Sequence, residues 1–169
     1  MKRRLFLAAF PVALAAGCGF QLRQLEGMPF ATLYIDAPNG SPVAQRIRAA
    51  LKASRSTHLV ASPAEAEAVL KIEREERARS ILSLSGAGRV IEYRLNLILV
   101  YSIVDRDQRV LAEPETIDLS RDMTYSDSEL LAKQAEERLL YSDMDDNAAL
   151  RIIRRMQALS SVKAVEHPG

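Results

Sequence analysis

A single cysteine in 169 residues excludes an internal disulfide, and the usual zinc, iron–sulfur and dithiol spacings need at least two. Histidine is almost as scarce. His58 and His167 are the only two, each without a His, Cys or carboxylate cluster at ligand spacing. Seven Gly and seven Pro are too few for a low-complexity chain. The apolar run Leu5 to Ala16 falls short of the about 20 residues that a helix needs to span a bilayer. A formal charge of +1 leaves no basic footprint for nucleic acid. Nucleophile–base pairs and paired acids are also wanting, which predicts a protein that is not an enzyme and needs no cofactor or metal.

Local motifs have plain explanations. Ser83 to Gly88 contains Gly86 and Gly88 but lacks the lysine and following helix of a phosphate loop, and reads as a hairpin tip. Asp143, Asp145 and Asp146 lie in a helical pattern with no glycine for a calcium loop, so a solvated helix face is expected. Glu73 to Arg77 mixes both signs and reads as an exposed strand flank. Tyr93 and Tyr101 are expected in the core.

What is present begins with the N-terminus. Met1-Lys2-Arg3-Arg4, the apolar run and Ala15-Ala16-Gly17 have the three-part layout of a signal peptide. Leu14-Ala15-Ala16-Gly17-Cys18 resembles a bacterial lipobox, with Ala15 where a larger aliphatic residue is commonest. The expectation is that residues 1–17 are cleaved and that Cys18 carries the lipid, since two or three acyl chains anchor durably where one is marginal. Arg3-Arg4-Leu5-Phe6-Leu7 also resembles a twin-arginine leader. Gly19, where a retention signal would have Asp, favours the outer membrane. Lys2, Arg3 and Arg4 are the leader's only charges, so the mature chain is mildly acidic.

Residues 18–29 lack a sustained period and are read as a lipidated tether. Residues 30–160 are read as one domain and 161–169 as a flexible tail. Ala31 to Asp36 reads as a strand, ended by Ala37-Pro38-Asn39-Gly40. Ser41-Pro42 pairs an N-cap with a first-turn proline, and Val43, Ile47, Ala50 and Leu51 give a helical stripe. A second strand starts near Ala68 and continues through the charged stretch. Ile91, Tyr93, Leu95, Leu97, Leu99, Tyr101 and Ile103 alternate strictly, the mark of a half-buried antiparallel strand. Val110 to Met123 follows as the last strand, with Pro114 marking an edge or a bulge because proline cannot donate to a ladder. Ser126 and Glu129 have capping-box spacing before a long helix whose core face is Leu130, Tyr141, Met144, Ala148, Ile152 and Met156, with Ala135, Leu140 and Leu159 alongside. The order β-α-β-β-β-α predicts an α+β two-layer sandwich, with two helices packed on one face of a mainly antiparallel four-stranded sheet.

Cys18-Gly19-Phe20-Gln21-Leu22-Arg23, Glu92-Tyr93 on the alternating strand, Leu131-Ala132-Lys133 with Glu136-Glu137, and Arg151 to Arg155 together resemble the LPS-assembly lipoprotein family LptE over essentially the whole chain. The resemblance implies an outer-membrane lipoprotein that plugs the LptD β-barrel, assists its assembly and binds lipopolysaccharide. It also implies that basic residues near the hairpin tip and the start of the last helix meet the ligand. Lys133 matches the helix position. Gly86 stands where the hairpin's basic residue is expected, and Arg89 is the displaced candidate. The partners so implied are the LptD-type barrel, lipopolysaccharide and the outer membrane, with the folded domain in the periplasm and barrel lumen. The competing expectation is a free-standing envelope lipoprotein that binds peptidoglycan or a small ligand.

Overall fold

A glycine turn sets the first helix. The computed structural model describes residues 28–165 except 53 and 55, and the leader, Cys18 and the residues after 165 lie outside it. Strand β1, Thr32–Asp36, sends Leu33 and Ile35 into the core and ends at a turn where Gly40 has φ +80°, a left-handed geometry open to glycine. Ser41 then caps helix α1, Pro42–Lys52, its Oγ accepting from Ala44 N at 3.0 Å. Val43, Ala44, Ile47 and Leu51 are buried beneath it.

The sheet has five strands where the sequence predicted four. The addition is β2, His58–Leu59, pairing parallel with β1 through His58 N to Ala31 O at 2.8 Å and Val60 N to Leu33 O at 3.0 Å. Two residues are too few to carry an alternating pattern, which is why the segment reads as a connection. Strand β1 also pairs parallel with β3, Ala68–Leu84, so the sheet is mixed, in the order β2-β1-β3-β4-β5.

Strands β3, β4 (Val90–Val104) and β5 (Val110–Thr124) form an antiparallel meander. Ser85 N to Arg89 O at 2.7 Å closes the first hairpin, with Gly88 at φ +75°. Helix α2, Leu130–Val165, lies across one face and runs past the point where its apolar period lapses. Its entry differs from a capping box. Asp127–Glu129 form a 3-10 turn, and the Ser126 hydroxyl pairs with Ser128 instead of capping a backbone N–H.

Leu95, Leu97, Leu99, Tyr101 and Ile103 of β4 pack against Met144, Ala148, Ile152 and Met156 of α2, and both rows are sealed from solvent. Met28 and Phe30 join this core. The two helices are joined by Arg46, which reaches Ser142 at 2.7 Å and Asp146 at 3.3 Å.

The helical cover is shorter than the sheet it covers. Only Ala68–Lys71 of β3 pair with β1, so from Ile72 onward its outer side has no strand beside it. Tyr141 Oη donates to Ala78 O at 2.9 Å across this gap. At the hairpin end Leu130, Leu131 and Ala135 of α2, and Ile91 of β4, stand in solvent, although the pattern assigned Leu130, Ala135 and Ile91 to the core. The first turns of α2 have only the narrow end of the meander beneath them, so part of an apolar stripe meets no second layer.

Candidate functional site

Lys133 and Arg89 are brought to the same end of the molecule. Lys133 lies near the start of α2 with its side chain 14% exposed, and its Nζ donates to Thr124 Oγ1 and Glu136 Oε2, both at 2.9 Å. Thr124 closes β5 opposite Glu92 of β4, and Glu92 accepts from Ser83 Oγ at 3.2 Å. Arg89 is at the tip that connects Ser83 to Glu92. Its backbone N–H bonds to Ser85 Oγ, while its exposed guanidinium has no polar partner among the described residues. The two cations differ chemically: an ammonium has three donors, two of which Lys133 has already used, whereas Arg89 is uncommitted.

Around them is an apolar surface. Ile81 is 58% exposed, Leu131 80% and Leu139 69%, with Leu84, Ile91 and Leu130 about half exposed. Tyr93 is not sealed in the core as expected. It meets Tyr125 edge to face at 5.1 Å between centroids, and Arg79 lies over its ring at 4.5 Å while pairing with Glu137 at 3.0 Å. Burial and a hydrogen bond to Asp127 push the Tyr125 phenol up, so it stays neutral through the ordinary pH range. Tyr101, by contrast, is in the core as expected, with its hydroxyl on Glu115 at 3.0 Å. This end therefore exposes several aliphatic side chains together with the Tyr93–Tyr125 pair and with basic and acidic groups.

Periodicity does not reveal this surface, because it turns the in-phase Leu130, Ala135 and Ile91 toward the core and says nothing of Leu131 and Leu139. The usable signal was length. Strands of 15 residues and a helix of 36 outrun an 11-residue α1, so some in-phase residues lack a covering layer. The acidic trio is also corrected. Asp143 and Asp146 are exposed and pair with Arg121 and Arg46, but Asp145 is buried, and one guanidinium nitrogen of Arg77, Nη2, donates to both its carboxylate oxygens at 2.7 and 2.8 Å. Glu73, Arg74, Glu76 and Arg77 are exposed, as expected of a strand flank, but Glu75 is half-buried and accepts from Ser41 Oγ, and Arg77 holds Asp145. Cys18 lies outside the described residues. Among the described residues no helix is long and apolar enough to cross a membrane.

Fold and site together define a class: a two-layer α+β domain whose meander and long helix overhang their cover and end in an amphipathic surface. The family model for LptE, lipopolysaccharide-assembly, matches residues 30–156, and the chain belongs to that family. It is 26% identical over 175 residues to the LPS-assembly lipoprotein LptE of Pectobacterium atrosepticum, covering 99% of this chain and 92% of that one. The solution structure of an uncharacterized lipoprotein B from Nitrosomonas europaea superposes with a TM-score of 0.72 at 34% identity, over 89% of this chain and 97% of that one. The rare lipoprotein B of Shewanella oneidensis does so with a TM-score of 0.65 at 26% identity, over 80% and 99%.

Proposed function

We propose that this chain is an outer-membrane lipoprotein, anchored through a lipidated Cys18, that plugs an LptD-type β-barrel, assists its assembly and binds lipopolysaccharide directly, without enzymatic activity. The observation that carries the reading is the hairpin end, where exposed Ile81, Ile91, Leu131 and Leu139 accompany Arg89 and Lys133. Lipopolysaccharide offers acyl chains and phosphates, and this surface offers an apolar face with guanidinium and ammonium donors. A barrel lumen is lined by polar side chains. The uncovered sheet face suits it, with Arg94 and Asp122 paired at 2.7 Å and Arg74 and Glu76 at 3.8 Å.

Two substitutions separate ligand contact from packing. Arg89→Ala is expected to weaken lipopolysaccharide binding about fivefold, the value of one phosphate-facing cation, and to leave the unfolding midpoint unmoved. Lys133→Ala is expected to weaken binding similarly and also to cost about 0.5–1 kcal/mol of stability, because it removes the hydrogen bond to Thr124. Unchanged affinity in both variants would defeat the assignment. The anchor and the partner are read separately. The mature N-terminal peptide is expected to begin at an acylated Cys18 in mass spectrometry. Detergent extracts are expected to yield a stoichiometric complex with a barrel protein, whereas a lone monomer would support a free-standing lipoprotein instead.

A further inference from the structure

At the opposite end, a pocket of about 690 Å³ opens between the β4–β5 turn, the last turns of α2 and the point where the chain enters the fold. Pro29 and Phe30 line it beside Val110, Leu111 and Leu159, and Val110 is more than half exposed. Arg106, Arg109 and Arg155 are on its wall with Glu67, Asp105 and Asp107. The numbers of the two charges match, but their commitments do not.

The carboxylates are largely engaged within the fold. Glu67 accepts Ala31 N at 2.7 Å, and Asp105 Oδ1 accepts the backbone N–H groups of Asp107 and Arg109 at 2.8 and 2.9 Å. The guanidinium groups are loosely held. Arg109 meets Asp107 only at 3.8 Å, Arg155 meets Glu115 at 3.7 Å, and Arg106 has no ion-pair partner among the described residues. The pocket thus has spare capacity for an anion beside an apolar wall.

We propose that this pocket binds the phosphodiester headgroup of a glycerophospholipid in the leaflet that anchors the chain. Arg106 and Arg109 engage the phosphate, and Val110, Leu111 and Leu159 meet the glycerol and upper acyl chain. Guanidinium groups suit the phosphate because their planar donors can engage two of its oxygens at once. The choice of a membrane lipid rests on the anchor reading. From Cys18 to Pro29 the chain reaches at most about 40 Å, so with Cys18 in the leaflet the pocket lies within that distance of the bilayer.

The test is native mass spectrometry of the processed protein, extracted in detergent and exchanged into micelles containing phosphatidylglycerol. One retained phosphatidylglycerol is expected on the wild type. Its apparent affinity should fall about 25-fold in the exposed-site double variant Arg106→Gln, Arg109→Gln, at about fivefold per lost cation, while the melting temperature is kept. Lys133→Ala is expected to retain the lipid. Equal retention by the double variant overturns the proposal, as does loss of the lipid in Lys133→Ala, which would place the ligand at the other end. Displacement by inorganic phosphate alone would make this a free-anion site and also overturns it. The same spectrum reports acylation of Cys18. An unacylated protein with arginine-dependent lipid retention supports the pocket while refuting the anchor, and an acylated protein without it does the reverse.

Discussion

Replacing Arg77 with methionine is expected to cost about 3 kcal/mol of stability at neutral pH, and distinctly less in acid. Asp145 is 4% exposed, and its carboxylate oxygens are held by one guanidinium. Removing the cation leaves a buried charge without its partner, which costs about 3–5 kcal/mol when the site is dry. The lower end applies because the Arg77 side chain is itself about one-third exposed. The pH dependence follows from Asp145. Burial holds its carboxyl above the usual carboxylate range, Glu75 pushes the same way, and Arg77 with the more distant Arg46 opposes them. The folded state therefore holds this proton more tightly than the unfolded chain does. Stability linked to the group is fully present below the unfolded value and is lost as pH rises through the folded one. Without Arg77 the folded value moves further up. The deficit of the variant should be greatest at neutral pH and shrink on acidification, as urea denaturation at a series of pH values would show. A pH-independent deficit would mean that the lost packing of Arg77 against the Tyr141 ring, 5.1 Å away, is responsible instead.

The second large effect contrasts two leucines of similar appearance in sequence. Leu97→Ala is expected to destabilise by about 3 kcal/mol, within the usual range for emptying a sealed core position. Leu97 is at 0% exposure between the helices and the sheet centre. Leu131→Ala, at 80% exposure, is expected to stay within about 0.5 kcal/mol of the wild type. Calorimetric melting of both variants checks the pair. A large loss in Leu131→Ala would show that the hairpin end is covered in solution, by a second copy or by a reorganised first turn of α2.

These two leucines also show how far the sequence could be read. Leu95 to Ile103 could be placed because strict alternation admits only a half-buried strand, and Ser41-Pro42 because cap chemistry is local. The charged segment from Glu73 to Arg79 was legible as strand only through its need for a neighbour, and its register with β4 confirms it. Periodicity fixes which side a residue points to, but not whether another layer is there to receive it. That is why Leu130 and Ala135, in phase with the buried residues of the long helix, are nevertheless exposed, whereas Leu131 was never on that face. Strand β2 was hidden by its shortness, and the capping box failed because Ser126 found a hydroxyl partner in Ser128. Within the candidate site, position was legible for both cations, since turn and helix start were clear. Their availability was not. The bonds of Lys133 to Thr124 and Glu136, and the free guanidinium of Arg89, depend on side-chain placement across separate elements.

The uncovered flank of β3 has a bearing on solubility. Beyond Ile72 it exposes backbone donors and acceptors without a neighbouring strand, and β5 does the same on the far side, a pair of templates on which a second molecule could add. Glu73, Arg74, Glu76 and Arg79 line the first of these flanks in solvent, and Pro114 interrupts the second. Charges of this kind guard an edge only over the Debye length, about 10 Å at 0.1 M salt and about 3 Å at 1 M. High ionic strength is therefore the storage condition under which the isolated protein should first form fibres or sheet-linked oligomers.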